Sequence, residues 1–113
     1  MKILSTRNGS FLTGSEIADA VVHYGLALSK RRDIDSINVP FVSPDGTVDR
    51  VDLFIGWGFA MAAISDDRPT DELVEIDTIL ELYTKAHSIG IAHGLPFSAE
   101  DIEQLRWSYP DLE

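Results

Sequence analysis

Residues Val51–Ile64, with the sequence VDLFIGWGFAMAAI, are the strongest constraint on the fold because they are apolar in both registers of a β-strand. An extended chain would place Leu53 and Ile55 on one side and Phe54 and Ala62 on the other. A strand that faces water on one side alternates apolar with polar residues, so this segment needs cover on both faces. A chain of 113 residues has few other elements to supply that cover. We therefore expect a partner subunit.

The segment before Val51 has the alternation of a β-strand. Ile37, Val39 and Phe41 alternate with more polar residues, and the tight-turn sequence PDGT follows at residues 44–47. Pro40 has no backbone N–H to donate, which predicts that its strand lies at an edge of the sheet or has a bulge. The pattern as a whole predicts antiparallel strands at 35–42, 48–57 and 59–65.

Two apolar stripes at helical spacing predict helices at 15–31 and 77–88. Thr13, with Glu16 three residues later, fits a capping box at the start of the first helix. A short third helix is expected from Ser98, ahead of a proline that ends it. Two further short strands are compatible with residues 2–5 and 73–76.

Together these elements predict one α+β domain over residues 1–113, in the order α-β-β-β-α-α. The sheet is expected to be an antiparallel meander of three to four strands with the helices packed on one face. At this length a single core is expected to bury roughly 65% of the surface of the unfolded chain.

The charge of the chain is acidic and unevenly distributed. The net charge is −10, and residues 66–113 contain twelve acidic side chains against three basic ones. Such a surface repels phosphate backbones and anionic lipids, so we expect no nucleic-acid partner and no membrane partner. It would suit a basic protein partner, although solubility alone also explains an acidic surface.

The composition limits the chemistry and the compartment. The chain has no cysteine, which excludes disulfides, thiolate nucleophiles and cysteine-built zinc sites. The sequence MKILSTRNGS at the start lacks the apolar run of a signal peptide. The longest uncharged stretch, residues 53–65, is shorter than the roughly 18 residues of a membrane-spanning helix. We therefore expect a cytoplasmic protein.

Motifs that indicate a chemistry are few. Glu16, Asp19 and His23 lie on one side of the first helix, and two carboxylates with an imidazole have the chemistry of a cation site. A solvated helix face explains the same spacing, so neither a metal site nor a catalytic set is predicted. Gly56-Trp57-Gly58 resembles part of a dinucleotide-binding turn but has no third glycine, which favours a bend in the sheet instead.

The remaining candidates are histidines and aromatic residues. His87 and His93 flank a glycine loop and could converge near Tyr83, although the dipole at a helix C-terminus also explains His87. A pocket between the sheet and the first helix would contain residues from that helix and from the bend. The binding candidates are therefore His23, Tyr24, Trp57, His87 and His93.

These observations favour a small acidic cytoplasmic protein without catalysis, which acts as an interaction or regulatory module. We expect a homodimer formed at least partly by the sheet, a basic protein as a further partner, and no cofactor. The alternative is a small-ligand-binding protein or enzyme with a pocket between the sheet and the first helix. A deep cavity with perturbed titratable groups would favour the alternative, and an exposed apolar seam would favour the interaction module.

Overall fold

The computed structural model describes residues 1–92, which form a five-stranded antiparallel sheet and two helices. The strands lie side by side in the order β4-β3-β2-β1-β5. The predicted α+β class is confirmed, and the helix expected from Ser98 lies outside the described residues. In chain order the elements are β1 (Lys2–Thr6), β2 (Gly9–Thr13), α1 (Ser15–Lys30), β3 (Ile34–Val42), β4 (Val48–Gly56), β5 (Met61–Ser65) and α2 (Ile76–Ala92).

The first helix and the β3–β4 hairpin agree with the sequence predictions. In the hairpin turn the Ser43 N–H donates to the Thr47 carbonyl at 2.8 Å, and the Gly46 N–H donates to the Ser43 carbonyl at 2.8 Å. Gly46 has a φ of 89°, a left-handed conformation that favours glycine. Leu53 and Ile55 of β4 are buried, as their register predicts.

The predicted meander is wrong at its last strand. β5 begins at Met61 instead of residue 59, and it pairs with β1, where Leu4 lies opposite Ala63. It therefore forms the edge of the sheet opposite β4. Gly56 and Gly58, with φ of 116° and 83°, turn the chain between the two strands. A segment that is apolar in both registers does not indicate which strand it will join, and the meander prediction failed for this reason.

The sheet has five strands instead of the three to four predicted, and the additional strand lies near the start of the chain. The sequence patterns predict no strand at β2, which contains the expected capping residue Thr13 and pairs with β1 from Thr6 opposite Gly9 to Lys2 opposite Thr13. The observed order over residues 1–92 is therefore β-β-α-β-β-β-α. The strand considered at residues 73–76 is absent from the described sheet, and α2 begins at Ile76, one residue before the predicted start, and ends at Ala92.

The position of Pro40 explains why this proline does not prevent β3 from lying inside the sheet. β3 pairs with β2 only where Leu12 lies opposite Val42, so Pro40 lies beyond the end of β2. Its missing N–H therefore removes no bond to that strand. The carbonyl of Pro40 instead accepts the Thr13 hydroxyl at 2.7 Å. The edge position or bulge predicted from Pro40 is therefore wrong, because β3 lies between β4 and β2 and keeps an unbroken register with β4.

The core lies between α1, one face of the sheet and α2. α1 contacts β1, β3, β4 and β5, whereas α2 packs mainly against α1, so α1 alone covers much of the sheet. The buried aliphatic and aromatic side chains come from both helices and from all strands except β2 and β5: Leu4, Ile17, Ala18, Ala20, Val21, Tyr24, Ala27, Leu28, Ile37, Val39, Leu53, Ile55, Ile79, Leu82 and Ala86.

The capping box predicted for α1 is wrong. The helix begins after Gly14, which has no side chain to cap it, and the Thr13 hydroxyl bonds to β3. The carboxylate of Glu72 accepts the Ser15 N–H instead and also binds the N-terminal ammonium of Met1 at 2.7 Å. Residues 66–75 therefore fasten the start of α1 to the start of β1.

We expect Gly14→Ala to destabilise the protein by about 1–3 kcal/mol, because the added Cβ would overlap the backbone carbonyl of Leu73. Gly25→Ala is the matched control within α1. Its Cβ would lie 3.9 Å from that of Ile55, an ordinary contact, and alanine has the better helix propensity by about 0.5–1 kcal/mol. Urea unfolding measures both changes. Equal stabilities for the two variants would contradict the close approach of Leu73.

We expect Glu72→Gln to destabilise the protein at neutral pH by about 0.5–1 kcal/mol, a modest value because the carboxylate is partly exposed. Partial burial favours the protonated acid, but the N-terminal ammonium and the Ser15 N–H hold the pKa of Glu72 below its ordinary value of 4.5. The stabilisation is therefore complete above pH 4.5 and is lost as the pH falls through the lowered pKa of the folded state.

Unfolding free energies of wild type and Glu72→Gln, measured by urea melts across this pH range, should converge at low pH. Asp71→Asn removes a neighbouring charge and is the control, for which we expect no such convergence. A deficit of Glu72→Gln that is as large in acid as at neutral pH would contradict the assigned role of the carboxylate.

Candidate functional site

The predicted histidines lie where the two helices meet. The ring of His23 on α1 lies 5.3 Å from the ring of Tyr83 on α2. His87 follows Tyr83 by one helical turn, and its Nδ1 is buried without a hydrogen-bond partner in the part of the chain that the structure describes. His93 lies outside the described residues. The sequence did not predict the contact of Tyr83 with His23. The predicted convergence of His87 and His93 near Tyr83 involves a residue outside the described range.

Tyr24 is held by an acid of the sheet. Its hydroxyl donates to Oδ2 of Asp35 at 2.6 Å, and the side chain is buried against the core. Burial, together with the neighbouring Asp35 carboxylate, raises the pKa of Tyr24 far above its ordinary value. The hydroxyl therefore stays protonated and hydrogen-bonded to Asp35, which suits a structural role.

Trp57 directly follows β4, and its backbone N–H donates to the Asp33 carbonyl at 2.9 Å. The guanidinium of Arg32 lies over its ring, 5.3 Å from the ring centroid, and the ring is half exposed. A Cβ at Gly56 would overlap the same Asp33 carbonyl, so the turn requires glycine there. β5 follows this turn, so the segment lacks the helix of a dinucleotide-binding motif. His23, Tyr24 and Trp57 therefore make three separate sets of contacts.

A small cavity does lie between α1 and the sheet. Its volume is about 180 Å³, and its lining does not include His23, Tyr24 or Trp57. No group of His, Asp and Glu side chains among residues 1–92 is arranged to hold a metal ion. The cavity is lined mostly by apolar and small residues: Val22, Gly25, Leu26, Ser29, Gly56, Phe59 and Met61.

An apolar row crosses the whole sheet on the face directed away from the core. Strand register places five aliphatic residues opposite one another, one on each strand. The two end members are the most exposed, with 53% of Ile64 and 59% of Val48 accessible to solvent. From one edge to the other, the apolar row is Ile64, Ile3, Leu12, Val42 and Val48.

The three central members of the apolar row, Ile3, Leu12 and Val42, line a surface groove with a volume of about 380 Å³. The hairpin turn after Val42 and the loop containing Arg68 and Thr70 also line this groove. The sequence identifies each member of the row as apolar, but only the strand order places the five side chains in line. The sequence prediction missed the row because it paired β5 with the wrong neighbour.

Two further cavities adjoin the β1–β2 turn. Their volumes are about 230 and 510 Å³, and both are lined by Thr6, Arg7, Ala60 and Met61. We call this pair the Arg7 cavity. Its smaller part is also lined by three aromatic rings, those of Phe11, Phe54 and Phe59. The cavity thus combines a cation with apolar rings from β2, β4 and the segment before β5.

No family model matches this chain, and neither a curated protein nor a solved structure matches it. Within residues 1–92, no helix combines the length and the apolar character needed to cross a bilayer. The interpretation of function therefore depends on the surfaces described above.

Proposed function

We propose that this protein is a non-catalytic interaction or regulatory module of the cytoplasm, which works as a homodimer formed by its sheet. The apolar row is the observation that supports this proposal. Monomeric proteins seldom leave a continuous apolar stripe in water, and such stripes mark interaction sites. Here the stripe crosses all five strands on a face that α1 does not cover.

A second copy of the chain is the occupant that fits this surface. Every member of the row is aliphatic, so the row is complementary to itself across a two-fold axis. Two copies that each have a net charge of −10 repel one another, and they approach at least cost through an uncharged surface. The row has no charged member, and β5, the edge strand at one end of it, has none either.

Burial of the apolar row would contribute substantially to the free energy of dimer formation. Complete burial of an isoleucine or valine side chain stabilises a protein by about 1.5–3 kcal/mol, so each half-exposed member contributes about 1 kcal/mol when it becomes covered. Each such contact occurs twice in a two-fold dimer. Neighbouring exposed residues such as Ala62 on β5 are small and would permit close approach of the partner.

The acidic part of the surface is left for another role in this proposal. Residues 66–92 contain seven acidic side chains against two basic ones, Arg68 and Lys85. Arg68 and Thr70 line the groove beside the apolar row, but like charges at a two-fold seam would repel, so the acidic side chains of this segment belong outside the dimer interface. There they would attract a basic protein partner, whose association should weaken as salt is added.

We expect Ile64→Asp to convert a native homodimer into a folded monomer, because it places a charge in the apolar row. Ile76→Asp is the matched control, since Ile76 at the start of α2 is also half exposed but lies outside the sheet. Light scattering at micromolar concentration should give twice the chain mass for wild type and for Ile76→Asp. Circular dichroism should show that Ile64→Asp remains folded.

Val48→Asp at the other end of the row gives an independent test if Ile64→Asp unfolds the protein. A monomeric wild type would contradict the proposed dimer. The same would follow if Ile76→Asp dissociated the dimer as completely as the two row variants.

A further inference from the structure

The β1–β2 turn holds the backbone around Arg7 in a defined conformation. The Thr6 hydroxyl donates to the Gly9 carbonyl at 2.8 Å and accepts the Asn8 N–H at 3.3 Å. These two bonds connect Thr6, before Arg7, to Asn8 and Gly9 after it and so fix the backbone of the turn. Gly9 has a φ of 151°, which a residue with a side chain rarely adopts. The turn is therefore locally determined, and its tip lines both parts of the Arg7 cavity.

Arg7 differs from the other cations of the described chain in its contacts. Among residues 1–92, it is the one cationic side chain without a hydrogen bond, ion pair or ring contact in the structure. Each of the others makes at least one such contact: Lys2, Lys30, Arg31, Arg32, Arg50, Arg68 and Lys85. In a chain with nineteen acidic residues, a cation that is not paired with any of them is available for an external anion.

Aromatic rings adjoin this cation in the smaller part of the cavity. The rings of Phe54 and Phe59 are stacked, with centroids 6.3 Å apart and planes at 25°. Phe54 is nevertheless 64% exposed, so the stack leaves apolar surface uncovered. Covering such a surface with the apolar body of a ligand is favourable, and an aromatic ring matches the stacked rings in shape.

One acidic residue limits the charge that the cavity will accept. Asp52 lines the smaller part, and its carboxylate is held by the side-chain amide of Asn38 at 2.8 Å. A cavity with a single guanidinium and a single carboxylate in its lining suits a ligand with one negative charge better than a doubly charged phosphate. A carboxylate also matches the two-pronged donor geometry of arginine.

We propose that the Arg7 cavity binds a small aromatic carboxylate. The guanidinium of Arg7 binds the carboxylate group, and the stacked rings of Phe54 and Phe59 contact the aromatic body. None of the five members of the apolar row lines this cavity, although Ala62, which neighbours the row, lines its larger part. The proposal does not require the dimer.

The test uses 1-naphthoate as the probe and the full chain as the receptor. Isothermal titration and amide chemical shifts should show saturable binding with a Kd of about 1 mM or tighter, with shifts concentrated at residues 6–9 and 52–61. Arg7→Gln should weaken the binding about tenfold or more, because it removes a charge-assisted contact. Arg68→Gln, which changes an exposed arginine outside this cavity, should leave the affinity unchanged.

Two further probes separate the contributions of charge and ring. The neutral 1-naphthamide should bind at least about tenfold more weakly than 1-naphthoate, and 1-naphthyl phosphate should bind no more tightly. The proposal is overturned by the absence of saturable binding, by equal binding of the amide, by tighter binding of the phosphate, or by equal effects of the two arginine substitutions. Circular dichroism of each variant checks that a lost affinity does not reflect unfolding.

Discussion

The pairing of β5 with β1 is the contact on which the rest of this structure depends. It takes the apolar segment after Gly56 from one edge of the sheet to the other and makes β4 and β5 the two edge strands. After β5, residues 66–75 pass close to the start of α1, where the Glu72 carboxylate accepts the Ser15 N–H. The same pairing completes the apolar row, since Ile64 joins it only through its register with Ile3.

Local signals in the sequence are sufficient for some elements. α1 and the β3–β4 hairpin follow from helical spacing, strand alternation and the PDGT turn, all of which act between near neighbours in the chain. Contacts between distant residues are different. The Ser15 N–H is satisfied by an acid 57 residues later, and Thr13, which resembles a helix cap, uses its hydroxyl to hold Pro40 instead. No local pattern distinguishes these outcomes.

The candidate sites show the same division. His23 and Tyr24 are adjacent in the sequence, but consecutive positions of a helix point about 100° apart, so one contacts α2 and the other β3. The apolar row could not be predicted, because it requires the order and register of all five strands. The Arg7 cavity could not be predicted either, because its lining comes from the β1–β2 turn, β4 and the segment before β5. What the sequence did predict is the exposed register of Phe54, Ala62 and Ile64, which α1 leaves uncovered.

The proposed dimer brings two copies of the chain together along the apolar row. Isotope-filtered NOE spectra of a mixed sample of labelled and unlabelled protein detect such an interface, because they report only contacts between different molecules. We expect intermolecular NOEs among the methyl groups of Ile3, Leu12 and Ile64. Spectra without such contacts, or with intermolecular NOEs confined to exposed residues of α2 such as Leu80, would contradict it.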